Sequence, residues 1–218
     1  MTYKAIIFDM DGVLVDTESF YLQRREQFFA NENVDISAFT PSDFIGGNMK
    51  EMWTKILGSD FDSREIQNRY ENFKRENPLP YERLLFDDVK NVLSDLINAG
   101  FKLALASSSS MEDIEKMLNI HDLGRFFPVK LSGNDFVETK PNPEIYLTAL
   151  KKLAVKSDEA LIIEDSEKGI QAGKAANITV WAIKDDRFGM NQSLADAHFP
   201  NLTAVKNQLF KLSNPREI

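Results

Sequence analysis

Cysteine is absent from this chain of 218 residues, which excludes disulfides and thiolate metal sites and is compatible with a reducing compartment. Long apolar runs are absent too. The first, AIIF at residues 5 to 8, falls far short of the ~20 apolar residues a membrane-crossing helix needs. No secretory leader or membrane segment is expected, and the sequence reads as that of a soluble cytoplasmic protein. Glycine and proline number only 10 and 8, and no low-complexity segment or internal repeat interrupts the chain. Positive charge is the minority sign: 26 Lys and Arg against 34 Asp and Glu give a formal charge of -8, with no basic cluster. That balance argues against a nucleic-acid surface, and it means that an anionic ligand needs a local cation. With 43% apolar residues, the chain can still bury the core of one α/β domain carrying an insertion.

What the chain does have is concentrated at FDMDGVLVDTE, residues 8 to 18. A short apolar strand, residues 4 to 8, runs into Asp9 and Asp11 and then into Gly12, where the backbone can turn. Residues i and i+2 of a strand share a face. Two carboxylates are therefore presented together at a strand's C-terminal end, where open parallel α/β sheets keep their ligand crevice. DMDG alone is also an ordinary turn sequence. Three more polar clusters follow strand-like runs: LALASSSS, ETKPNPE and ALIIEDSEKG bring Ser107 to Ser110, Lys140, and Glu164 with Asp165 to strand ends in turn. Each has a plainer alternative when taken singly, since serines and Glu-Asp-Ser runs cap helices and a lone lysine faces solvent.

Between residues 17 and 81 helical spacing replaces strand alternation. Phe20, Phe28 and Phe29 mark one apolar face, Met52, Trp53, Ile56 and Leu57 a second, and Ile66, Tyr70 and Phe73 a third, as in a small helical bundle. NPLPYE ends this segment, its Pro78 and Pro80 suggesting a semi-rigid hinge. Next comes a helix capped by Asp87 or Asp88, with Val89, Val92, Leu93, Leu96 and Ile97 on its apolar face. Strand FKLALA, a helix over residues 111 to 118 and a short strand near Val129 follow. A helix from Glu144, with Asn142 as N-cap and Pro143 at its first position, precedes strand ALIIE. A Gly- and Ala-rich helix, TVWAI as fifth strand and a final helix over residues 203 to 212 complete the chain. Alternating strands and helices imply a parallel sheet with right-handed crossovers. The expected architecture is a doubly wound α/β core, residues 1–16 and 82–218, with a helical insertion at 17–81.

The ordered set of strand-end motifs resembles the haloacid dehalogenase superfamily. Within it, DMDGVLVDTE and EDSEKGI are most similar to the branch of beta-phosphoglucomutases and small-molecule phosphatases with a helical cap. That resemblance implies that residues 17–81 are the cap and that Asp9 is a nucleophile forming an aspartyl phosphate. It makes Asp11 the acid that protonates the leaving oxygen and then the base that activates water. It implies Mg2+ as cofactor, held by Asp9, the backbone carbonyl of Asp11 and Asp165, with Glu164 bound directly or through water; magnesium takes oxygen ligands and keeps several waters. As a proton donor near neutral pH, Asp11 has to lie well above the ordinary aspartate value of about 3.9, which burial and neighbouring carboxylates favour. Ser107, with the amides of Ser108 and Ser109, is expected to bind phosphoryl oxygens, and Lys140 to neutralise the transferring group and hold Asp9. Thr17 and Glu18 fall at the cap hinge, with Thr17 a candidate substrate contact.

The likeness thins where a cap selects its substrate. The mutases carry a histidine where this chain has Tyr21, an arginine where it has Met49 beside Lys50, and Lys and Asn where it has Ser110 and Met111. Tyr21 and Lys50 are thus the cap's substrate-binding candidates, and hydrolysis of a small phosphate monoester, a sugar phosphate or similar metabolite, is expected ahead of mutase activity. A phospho-accepting receiver module uses similar groups. Such modules are much shorter, put the acidic pair and the acceptor aspartate on different strands, and lack an insertion. A monomer acting on a small molecule, without nucleic-acid or membrane partners, is expected.

Overall fold

Ala5–Phe8 (β1) is apolar at every position because both of its faces are covered, the usual state of a central strand in a parallel sheet. The structure, a computed structural model, describes residues 3–46, 49–58 and 64–213, without the side chains of residues 49–51 and 213. Around β1 the sheet adds Lys102–Ser107 (β2), Val129–Ser132 (β3), Ala160–Glu164 (β4), Thr179–Ile183 (β5) and Ala197–Phe199 (β6). All pair in parallel, in the order β3-β2-β1-β4-β5-β6. The helices in chain order are Glu18–Asn31 (α1), Pro41–Phe44 (α2), Met49–Leu57 (α3), Arg64–Glu76 (α4), Val89–Asn98 (α5), Met111–His121 (α6), Glu144–Leu153 (α7), Glu167–Ala175 (α8) and Leu202–Ser213 (α9).

Alternate strand residues feed two apolar layers. Ile6, Phe8, Leu103, Leu105, Leu161 and Ile163 pack against α5, α6 and α9 on one face. Ala5, Ile7, Ala104, Ala106 and Ile162 pack against α7 and α8 on the other. This is the doubly wound core the sequence implies. The chain steps outward from β1 through β2 and β3, then returns to place β4 on the other side of β1. The switch point therefore lies between β1 and β4, and the crevice opens beyond their C-terminal ends, at Asp9 and at Glu164 and Asp165.

Helices α1 to α4 build an apolar cluster of their own from Phe28, Phe29, Phe44, Met52, Trp53, Ile66 and Tyr70, with the Phe28 and Tyr70 rings 4.9 Å apart. The two chain passages that join them to the sheet run side by side: Asp16 N donates to Leu84 O at 2.8 Å and Phe86 N to Leu14 O at 3.1 Å. Among the described residues no helix is long and apolar enough to cross a membrane.

Several local expectations shift. A sixth strand, β6, escapes the pattern because it is three residues long, stops at Pro200 and pairs only with β5. Pro143 rather than Asn142 takes the cap position of α7, while Asn142 Oδ1 accepts from Glu144 N at 2.9 Å in the turn before it. Phe20 and Ile97, placed on buried faces by spacing, are 37% and 40% exposed. Asp88 stands at the start of α5, yet its carboxylate accepts from Thr203 N and Oγ1 at 2.7 and 2.9 Å, tying α9 to α5 instead of capping.

Candidate active site

Asp9 N donates to Ile163 O at 2.9 Å, which extends the β1–β4 ladder by one residue and fixes Asp9 at the switch point. Lys140 reaches it from the segment between β3 and α7, where the Lys140–Pro141 peptide is cis. Its Nζ donates to Asp9 Oδ1 at 2.8 Å, to Glu164 Oε1 at 2.7 Å and to Ala106 O at 3.0 Å, so every ammonium N–H is used. Burial pulls Lys140 down, but Asp9 and Glu164 outweigh it and hold the ammonium well above its ordinary value.

Glu164 is fully buried. Its Oε1 accepts from Lys140 and from Tyr146 OH at 3.0 Å, and its Oε2 from the N–H groups of Asp165 and Ser166 at 2.9 Å each and from Ser166 Oγ at 3.0 Å. These five bonds share the about four lone-pair sites that a carboxylate offers, so they hold Glu164 firmly in place. Glu164 is the counter-charge that fixes Lys140, and its carboxylate also belongs, with Asp9 and Asp165, to the group of buried acids close enough to hold a metal ion. Burial pushes its carboxyl up, and Lys140 with these bonds reverses that and holds it below the ordinary value.

Asp11 is clamped at both oxygens. Thr17 Oγ1 donates to Oδ1 at 2.6 Å, while Ser109 Oγ and Ser107 Oγ donate to Oδ2 at 2.7 and 3.4 Å. Burial nevertheless keeps its carboxyl above the usual value, against the bonds from Thr17 and Ser109. Thr17, expected as a candidate substrate contact, is fully buried, bonded to Asp11 and not among the residues that line the cavity. Ser107 is fully buried as well, its Oγ accepting from Ser109 N at 3.0 Å. In its place Ser108, Ser109 and Ser110 line the cavity; Ser108 Oγ donates to Gly46 O at 3.0 Å, and Ser110 Oγ caps α6 by accepting from Asp113 N at 3.1 Å.

The donor set suits a divalent cation. Oxygens of Asp9, Glu164 and Asp165 lie within 4.8 Å of one another, and Asp165 Oδ2 is buried without a hydrogen-bond partner among the described residues. Asp9, Asp11, Glu18, Glu164 and Asp165 are all buried at this end of the sheet, against the buried cations Lys140 and Arg25. Burial, then Glu164 and Glu18, holds the Asp165 carboxyl well above the usual range. Burial pushes Asp9 up to about 8 against the pull of Lys140, and it raises Glu18 to about 8 with help from Asp11. A bound cation is the ordinary remedy for such a surplus of negative charge. Gly12 makes room for this arrangement: its φ is +74°, and a Cβ there would lie 1.9 Å from Asp165 Oδ2.

A cavity of about 490 Å³ opens from Asp9, Asp11 and Asp165, within the range of small-molecule sites. Its far wall comes from α1 and α4, through Tyr21, Arg24, Arg25 and Lys74 among others. Tyr21 OH lies 3.2 Å from Ser109 Oγ and 3.3 Å from Tyr81 OH. Burial, then Asp11, pushes that hydroxyl well above its usual value. The side chain of Lys50 lies outside the described residues, as does that of Met49. Sequence reasoning missed Tyr146, Gly46 and the two arginines: Tyr146 reads as one more aromatic on the apolar face of α7, and Arg24 and Arg25 as the solvent face of α1.

The family profile described as Haloacid dehalogenase-like hydrolase matches residues 6–183, from β1 through β5. The chain belongs to that hydrolase family. The haloacid dehalogenase-like chain is 31% identical over 181 residues to a phosphorylated carbohydrates phosphatase of Thermotoga maritima, covering 80% of this chain and 82% of that protein. It is 30% identical over 176 residues to a phosphoglycolate phosphatase of Aquifex aeolicus, covering 79% and 81%. A beta-phosphoglucomutase of Clostridium difficile shares its fold with a TM-score of 0.80 at 21% identity, over 97% of this chain and 99% of that one.

Proposed function

We propose that this hydrolase is a magnesium-dependent phosphatase of small phosphate monoesters that works through an aspartyl phosphate on Asp9, with residues 17–81 as a cap over a core of residues 1–16 and 82–218. The observation that carries the proposal is the pairing at the switch point: Asp9, its Oδ1 bonded to Lys140, stands beside Asp165, whose Oδ2 has no partner among the described residues. Asp9, Asp165 and the backbone carbonyl of Asp11 would hold the ion. Magnesium there supplies positive charge against the phosphoryl oxygens.

Asp9 attacks phosphorus, and Lys140 holds the carboxylate in line while offsetting charge on the transferring group. Asp11, kept above the usual value by burial, donates its proton to the leaving oxygen as the ester bond breaks, which releases the alcohol. The resulting carboxylate of Asp11 takes a proton from water, whose oxygen attacks the phosphoaspartate and returns Asp9 and inorganic phosphate. Thr17 and Ser109 aim Asp11 through both steps. Hydrolysis is favoured over transfer to a sugar because Tyr21 is held neutral, far from acting as a base toward a hydroxyl. The names of the two phosphatase relatives point the same way.

The test is a panel of sugar phosphates, phosphoglycolate and nucleotides, assayed for inorganic phosphate with magnesium and with chelator. Release that requires magnesium supports the proposal. Glucose 6-phosphate formed from beta-glucose 1-phosphate faster than free phosphate replaces it with a mutase.

A further inference from the structure

Two guanidinium groups on α1 face the Asp9 cavity with hydrogen bonds unmade. Arg25 is 8% exposed, and its Nε and Nη1 are sealed from solvent without a partner among the described residues. Arg24 has the same deficit at Nε, while its Nη1 donates to Asn77 O at 3.3 Å. Buried N–H groups are nearly always paired, and a desolvated charge without partners is among the costliest things a protein can bury.

Local packing does not answer the deficit. Arg25 rests its guanidinium against the rings of Tyr21 and Phe44, 5.2 and 5.9 Å from their centres, and Arg24 rests on Tyr21 at 5.2 Å. Such contacts fix the position of a guanidinium without satisfying the N–H groups at its edge. Lys74, the other cation of this wall, is already paired with Glu71 at 2.7 Å. Glu18 stands near enough for Arg25 to weigh on its charge, yet no carboxylate pairs with Arg25 among the described residues. A rigidly held guanidinium with bonds unmade, on the wall of a cavity that also carries Asp9 and Asp165, is complementary in charge to an oxyanion.

We propose that Arg25, with Arg24 beside it, binds a second anionic group of the substrate. The ester hydrolysed would then carry a carboxylate or a further phosphate besides the phosphoryl group that reacts at Asp9; the assignment rests on the phosphatase proposal for that site. Of the two named relatives' substrates, phosphoglycolate carries such an acid, whereas the other name states no second one.

The experiment compares the full chain with Arg25→Met and Arg25→Lys on phosphoglycolate, a sugar bisphosphate and ethyl phosphate, the last lacking a second acid. Wild type is expected to favour one of the two diacids over ethyl phosphate by at least ~10-fold in kcat/KM, the diacid preferred showing whether carboxylate or phosphate is recognised. In Arg25→Met the loss on that diacid is expected to exceed the loss on ethyl phosphate by about 10- to 100-fold, the span of a charge-assisted hydrogen bond. The loss should fall mainly in KM, and Arg25→Lys should restore part of it. Equal losses on all esters, or no diacid preference in wild type, overturn the proposal while leaving the phosphatase intact. Binding is read separately by calorimetry with 3-phosphonopropionate, propane-1,3-bisphosphonate and propylphosphonate. If wild type hydrolyses no ester, the phosphatase proposal falls, and calorimetry still decides: tighter binding of a diacid that Arg25→Met abolishes supports the Arg25 site, and equal binding of all three ligands removes it. Unchanged melting temperatures separate these outcomes from misfolding.

Discussion

Lys140, bonded behind Asp9, and Arg25, on the wall of the cavity that opens from Asp9, are both buried cations, and they are held in opposite ways. Lys140 points all three of its N–H bonds at fixed oxygens of Asp9, Glu164 and Ala106, and Glu164 is fixed in turn by Tyr146, Ser166 and two backbone N–H groups. Arg25 is anchored by ring faces and leaves Nε and Nη1 without partners among the described residues. A charge whose bonds are complete before substrate arrives is preorganised and needs no reorientation during the reaction. A charge with bonds unmade gains most when a ligand completes them. On the two proposals, the core wall serves chemistry and the α1 wall selection.

Asp9→Asn should break the comparison at its strongest point. The change removes the charge of the proposed nucleophile at nearly constant volume, so kcat is expected to fall by at least ~1000-fold with the fold intact. Activity within tenfold of wild type, measured by phosphate release, would move the chemistry away from the core wall. Next in size is Lys140→Met. It leaves the Glu164 and Asp9 charges buried without their cation, and urea unfolding should show a loss of about 3–5 kcal/mol alongside a fall in kcat of about 100- to 1000-fold. A stable, active Lys140→Met protein would show that the lysine is not the counter-charge of this network.

Gly46→Val tests how the two walls meet. Gly46 has φ +74°, and a Cβ there would lie 2.4 Å from Ser166 Oγ, so a side chain must push the α2–α3 connection off the core. KM is expected to rise about tenfold with a smaller change in kcat, an estimate from a strain of this order; an unchanged KM would mean that this contact does not shape the cavity. Tyr146→Phe should have the smallest effect, removing one bond to Glu164 and about 1–1.5 kcal/mol of stability while kcat falls only a few-fold. A loss as large as that of Lys140→Met would make the tyrosine, rather than the lysine, the organising group.

The strands were legible because parallel strands buried on two faces read as apolar runs, and the residues following β1, β2 and β4 were legible because chemistry in such sheets gathers at strand ends. Partnership was not. That Glu164 serves Lys140, that Thr17 serves Asp11 and that Ser107 faces inward are long-range or rotamer-level facts, set by which side chain closes over which. Arg25 was hidden for a related reason. Spacing on α1 marks it as polar and therefore solvent-facing, whereas α1 turns that face toward a cavity it shares with the sheet. β6 was missed because three residues before a proline leave no period to read.

The mass of the enzyme quenched during turnover tests the central claim most directly. Asp11→Asn keeps the proposed nucleophile but lacks the proposed acid and base, so acid quenching in the presence of magnesium and p-nitrophenyl phosphate, whose leaving group needs no proton, should trap the phosphoenzyme. The account predicts one phosphoryl group on the peptide that contains Asp9. Ester consumption without any adduct, or an adduct on another residue, would contradict it.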